Sequence, residues 1–179
     1  MNNDTYFSKN FIRALIISAT IILSTLLLSS FVGFNAPPEE AEQITQEVEN
    51  LAATLTWTNI FLNNFLLTLV TFIPVFGIPF AVYVQFNTGY AFGALAQTLY
   101  ETYYVNNIQI ILLTLLSPVG ILEYSAYILA LTESIILVYS IYKKELKKRL
   151  VTYTWKTFIF VALLLLVGAL IEAAFIGRL

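Results

Sequence analysis

The chain has 179 residues, 59% of them hydrophobic and only 11% charged, with nine Lys and Arg against eleven Asp and Glu, whereas about a quarter of the residues in a soluble domain are charged. Residues 51 to 100 carry no charge at all, which points to lipid as the solvent. With no cysteine, no histidine and a single aspartate, Asp4, the chain lacks disulfides, Cys/His metal or haem ligands, thiol nucleophiles, a serine–histidine pair and an aspartyl dyad, so neither an enzyme nor a metal or cofactor protein is expected.

About 20 apolar residues cross a bilayer as a helix, and five segments are expected to cross. The first runs from Ala14 to about Phe34 behind Lys9 and Arg13; it is long for a signal-peptide core and is read as a retained helix. Pro37 and Pro38 then open an amphipathic helix at about 38–56, because proline suits the first turn and the carboxylates of Glu39, Glu40 and Glu42 suit the positive end of the dipole. Its stripe of Ala41, Ile44, Val48, Leu51 and Leu55 recurs at helical spacing, either to dock an outside partner or a second copy, or to lie on the chain's own membrane domain.

The second crossing, roughly Trp57 to Tyr83, is expected to kink at Pro74, Gly77 and Pro79. Asn87-Thr88-Gly89 reads as a turn, and a short third helix follows from about Tyr90 to Tyr104, where Gly89 and Gly93 have the spacing that lets two helices approach closely. The apolar stretch from Ile108 to Tyr142 is about 50 Å long as one helix, too long for a core of about 30 Å. Ser117-Pro118-Val119-Gly120 is its expected break, with Ile108 to Leu116 as a half-helix or re-entrant piece and Ile121 to Tyr142 as the spanning part. A basic loop at 143–149 precedes the last helix, from Leu150 to about Ile176.

Five crossings with the N-terminus cytoplasmic put Lys9, Arg13, Lys143, Lys144, Lys147, Lys148, Arg149 and Lys156 inside and only Arg178 outside, with the C-terminus outside. Trp57, Tyr100, Tyr103 and Tyr104 then mark the outer interface, and Tyr83, Tyr139, Tyr142, Tyr153 and Trp155 the inner one. The glycosylation triplet Asn3-Asp4-Thr5 falls inside, where it has no meaning. The five cations of the loop serve as a topogenic signal or hold anionic lipid headgroups. The whole of residues 1–179 reads as one all-α polytopic bundle in the plasma membrane.

Carboxylates inside spans are costly and therefore informative. Counted along the helices, Glu133 lies at mid-membrane, while Glu123 and Glu172 share a depth near the outer boundary with Asn63 and Asn64. No Lys or Arg falls within a span to pair with these acids. The cluster either hydrogen-bonds helices together around the broken backbone or loads and releases a proton or cation. A glycosidase-like carboxylate pair is disfavoured because nothing else builds a substrate cleft.

The order Phe61-Leu62-Asn63-Asn64-Phe65, Phe86-Asn87-Thr88-Gly89-Tyr90-Ala91-Phe92-Gly93, Ser117-Pro118-Val119-Gly120-Ile121-Leu122-Glu123 and Ile171-Glu172-Ala173 resembles the stage II sporulation protein M family over nearly the whole chain. Carried over by that resemblance, the motif positions are Asn63 and Asn64, Gly89 and Gly93, Pro118, Gly120 and Glu123, and Glu172. Family members often have histidine where this chain has Val119, so a titrating role there is absent. In sporulating bacteria the resemblance implies a membrane scaffold that holds peptidoglycan-degrading partners during engulfment. The expectation is thus a scaffold in contact with membrane lipids, forming a homodimer and recruiting protein partners but no nucleic acid. Its expected contact surfaces are the acidic helix and the glycine-bearing third span. The rival expectation is a small transporter or permease-like subunit built on the Asn/Glu site.

Overall fold

The computed structural model describes residues 9–177, and these are all-helical, with no strand among them. Arg178 and the Asn3-Asp4-Thr5 triplet lie outside the described residues, as do the side chains of Lys9 and Glu101. Helix α1 spans Lys9–Phe34 and α2 spans Pro38–Ala52, the latter opened by proline and by Glu39 and Glu40 in its first turn. Helix α3, Trp57–Thr71, starts at a capping box in which Thr56 and Asn59 satisfy each other's backbone N–H groups. After a break at 72–76, α4 covers Gly77–Tyr103 and stops where Tyr104 turns left-handed. Helix α5, Asn107–Leu116, is capped by Asn106 and Gln109 and ends at Ser117, from which α6, Pro118–Tyr142, departs at once. The rest is one 30-residue helical run, divided into α7 at Leu146–Arg149, a π-helical turn at Leu150–Thr154 and α8 at Trp155–Phe175.

Among the described residues, three helices are long and apolar enough to cross a membrane: Asn10–Phe34, Pro118–Tyr142 and Leu146–Phe175. The two segments between α2 and α5 depart from the sequence reading. Its kinked helix over Trp57 to Tyr83 is two helices, because Pro74 lacks a backbone donor and Val75 takes a positive φ of 69°. The turn expected at Asn87-Thr88-Gly89 is not made, and α4 runs straight through it. Asn87 Nδ2 donates to the Tyr83 carbonyl at 2.7 Å and Thr88 Oγ1 to the Val84 carbonyl at 3.0 Å. Side chains that favour a turn in water thus hydrogen-bond back onto the preceding helical turn, and a helix keeps the backbone bonds internal.

Helix α4 lies alongside α1, and glycines set the distance. A Cβ on Gly89 would overlap Ser29 Oγ and the Leu26 carbonyl; one on Gly93 would overlap the Ser30 carbonyl, and one on Gly33 the Tyr90 carbonyl. Ser29 meets Gln85, and Ala36 accepts from Gln97 Nε2 at 2.9 Å, so rising numbers in α1 meet rising numbers in α4 and the two helices run parallel. The small-residue face of α4 is therefore filled by α1 of the same chain. At the far end of α4, Gly77 fits only because it has no side chain to strike the Thr71 carbonyl and Ser134 Oγ. Ser134 stands about 13 Å along α6 from Lys143, so the α3–α4 break lies well short of the basic end of the bundle. The core forms in two parts: Ile22, Leu26, Ala81, Ile111, Tyr124 and Leu131 between α1, α4, α5 and α6, and Phe72, Ala126, Ala130, Val161 and Leu165 at the meeting of the α3 end with α6 and α8.

Candidate functional site

The polar residues singled out by the sequence fall into two sites at different levels of the bundle. At the level nearer α2, Asn64 Nδ2 of α3 donates to Glu123 Oε1 of α6 at 2.5 Å. Glu123 is half-buried and rests over Gly168 of α8, where an added Cβ would sit 3.5 Å from its Cγ. Glu172, one turn further along α8 and also half-buried, lies within electrostatic reach of Glu123. The structure thus joins Asn64, Glu123 and Glu172 across three helices. Asn63 is exposed on the other side of α3 and takes no part; neighbours on a helix point about 100° apart, so one register position separates the asparagine that reaches the acid from the one that does not.

The bend at Ser117 positions Glu123. Ser117 Oγ donates to the Thr114 carbonyl at 2.8 Å and accepts from Gly120 N at 2.9 Å, which caps α6. Pro118 occupies the first turn of α6, where its missing N–H costs nothing. Gly120 is required because a Cβ there would overlap the Thr114 carbonyl. The break therefore turns the chain within one residue and sets Glu123 one turn into α6.

Glu133 forms the second site and does not join the first. Its side chain is fully buried and receives Arg149 Nε at 2.9 Å on Oε1 and Arg149 Nη2 at 2.5 Å on Oε2. Thr154 Oγ1 donates to Oε1 at 2.7 Å, and the Arg149 guanidinium lies 5.0 Å over the Tyr153 ring. The π-helical turn at Leu150–Thr154 makes this convergence possible: its wider winding brings positions five apart back towards one side, where an α-helix would splay them by about 140°. The reading that no cation pairs with the intramembrane acids is corrected here, since Arg149 reaches back from the basic loop into the bundle. Sequence distance hid the pair. The available clue was that Arg149 is the one arginine in a run of lysines, and arginine is the residue whose fork fits a carboxylate.

Of the expected partner stripe on α2, Ile44 is half-buried, Val48 and Leu51 are exposed, and Leu55 falls beyond the helix end. The first half of α2 is tied to α4 by Tyr90 OH donating to Glu40 at 2.8 Å and by the Thr45–Thr98 hydroxyl pair at 3.1 Å, with Ala41 buried between. No group of His, Cys, Asp and Glu suited to a metal occurs among the described residues.

A family model described as stage II sporulation protein M matches residues 12–176, which takes in both sites and all the helices but the first three residues of α1. No curated protein and no solved structure matches the chain.

Proposed function

Since the chain belongs to the stage II sporulation protein M family, we propose that it is a non-enzymatic scaffold of the plasma membrane that recruits protein partners for membrane or cell-envelope remodelling and works as a homodimer. Family membership over residues 12–176 carries this reading. The basic loop and the start of α1 face the cytoplasm, since the cations gather there, and α2 and the end of α8 face outside. Helices α1, α6 and the 146–175 run cross fully. Helices α3 and α4 form a hairpin that enters from outside and turns back within the bilayer, because their break is level with Ser134. This arrangement leaves both termini where five crossings leave them.

The scaffold's contact surface is the distal half of α2. Its proximal half is pinned to α4, so Val48 and Leu51 are held out from the bundle on a rigid support, among Glu42, Glu47 and Glu49. An exposed apolar pair with an acidic rim suits a partner with an apolar contact and basic surroundings. Crosslinking in native membranes followed by mass spectrometry tests this. Wild type should recover a second copy and at least one further protein, and Val48→Arg with Leu51→Arg should lose them while still inserting. Recovery of neither from wild type overturns the scaffold reading.

A further inference from the structure

The basic loop is closed tightly on itself. Lys143 N donates to the Tyr139 carbonyl at 3.0 Å, Lys144 N to the Ile141 carbonyl at 3.0 Å and Glu145 N to the Ser140 carbonyl at 2.8 Å. Lys144 takes a left-handed φ of 58°, the conformation that ends a helix and turns the chain away. Arg149 N then donates to the Glu145 carbonyl at 3.0 Å, and the Arg149 side chain, only 10% exposed, is held by the buried Glu133. The five cations of the loop are therefore not equivalent. The arginine fastens the loop to the bundle, whereas Lys143, Lys144, Lys147 and Lys148 stand exposed on a backbone of fixed shape. None of these four lysines forms a salt bridge among the described residues.

The surface beside the lysines is apolar and aromatic. Every fourth residue from Lys147, namely Val151 and Trp155, is exposed, while Arg149 between them turns inward. Lys156 Nζ lies 5.7 Å from the centre of the Trp155 ring. On α6, Lys143 Nζ lies 5.6 Å from the Tyr139 ring and 5.8 Å from the Tyr142 ring, and both tyrosines are exposed. Ammonium groups, aromatic rings and then aliphatic side chains follow the order of a bilayer edge, from phosphate through interface to acyl chain. An acidic protein or a free phosphate would match the lysines and leave Leu150, Val151 and Trp155 in water. A phospholipid matches both parts.

We infer that the cytoplasmic end of α6 and of the 146–175 run forms a site for an anionic phospholipid of the inner leaflet, with its phosphate held by Lys147 and the neighbouring lysines and its acyl chain along Val151 and Trp155. The charged groups around the site are Lys143, Lys144, Glu145, Lys147, Lys148 and Lys156. The inference rests on the reading that sets the basic loop at the cytoplasmic membrane edge, and it goes beyond the scaffold role, which specifies no lipid.

The test uses the two tryptophans of the chain, Trp57 and Trp155, which stand towards opposite ends of the bundle. The full chain with Trp57→Phe reports from Trp155, and the full chain with Trp155→Phe reports from Trp57. Each is reconstituted in phosphatidylcholine vesicles containing a small fraction of lipid brominated on its chains, either phosphatidylglycerol or phosphatidylcholine. Brominated phosphatidylglycerol should quench Trp155 at about a fivefold lower mole fraction than brominated phosphatidylcholine, and the quenching should saturate. Trp57 should respond equally to the two lipids. Lys147→Gln with Lys148→Gln should bring the two Trp155 curves together, while circular dichroism and gel filtration report that the variant is folded. Equal quenching of Trp155 by both lipids overturns the inference and leaves the topology standing. Quenching by neither puts Trp155 outside the bilayer and overturns both. A preference that survives the lysine substitutions, or that rises with mole fraction without saturating, overturns the site.

Discussion

Glu123 and Glu133 are the same residue type on the same helix, yet they are held in different ways. Glu123 is half-buried, shares a hydrogen bond with a neutral amide and has a second acid nearby. Glu133 is fully buried and is held by a guanidinium and a hydroxyl. An acid next to the membrane edge can remain wet and chemically available, whereas one deep in the bundle requires a full counter-charge. Availability belongs to the first and architecture to the second.

The comparison is broken most severely at the inner site. Arg149→Leu leaves a buried carboxylate without its partner and should cost about 3–5 kcal/mol, seen as a large fall in melting temperature in detergent, with the Glu133→Gln and Arg149→Gln pair recovering most of it. An Arg149→Leu chain as stable as wild type would mean that the pair contributes no architecture. Next in size is Gly120→Ala, which forces a methyl group onto the Thr114 carbonyl at the bend and should destabilise by about 1–3 kcal/mol while loosening the support of Glu123. At the outer site, Asn64→Ala should cost only about 0.6–2 kcal/mol and Asn63→Ala close to nothing; equal effects from the two would contradict the assignment of faces. The smallest perturbation concerns topology. The chain is free of cysteine, so single cysteines can be placed cleanly, and Val75→Cys should resist an impermeant thiol reagent from either side while Lys144→Cys reacts from the cytoplasm. Labelling of Val75→Cys from the cytoplasm would restore the five-crossing arrangement.

What the sequence discloses is what acts locally. Pro118 and Gly120 enforce a break wherever they occur, and Pro37-Pro38 followed by glutamates opens a helix in any solvent, so both features are readable before any fold is known. Asn87-Thr88-Gly89 misleads because its turn preference is a property of water, where carbonyls four residues back are already hydrated. Depth counting groups Asn63 with Asn64 because it carries no information about rotation around the helix. The Glu133–Arg149 pair is hidden by the loop between them, and the part of Thr154 in it by a π-helical turn whose extra residue shifts every later face.

Under the proposed topology, the α3–α4 hairpin also changes the outline of the molecule in the plane of the bilayer. In the proposed arrangement α1, α3, α4, α5, α6 and α8 would share the outer half, while among the described residues α1, α6 and the 146–175 run would continue to the cytoplasmic edge. Such a chain would displace more lipid area from the outer leaflet than from the inner and would act as a wedge, favouring membrane that bulges outward. Reconstituted with α2 facing out, it should concentrate on small vesicles over large ones, and an even distribution would show that the taper is filled by lipid without curvature. The short reach of one hairpin would thereby give the proposed scaffold a shape of its own to contribute.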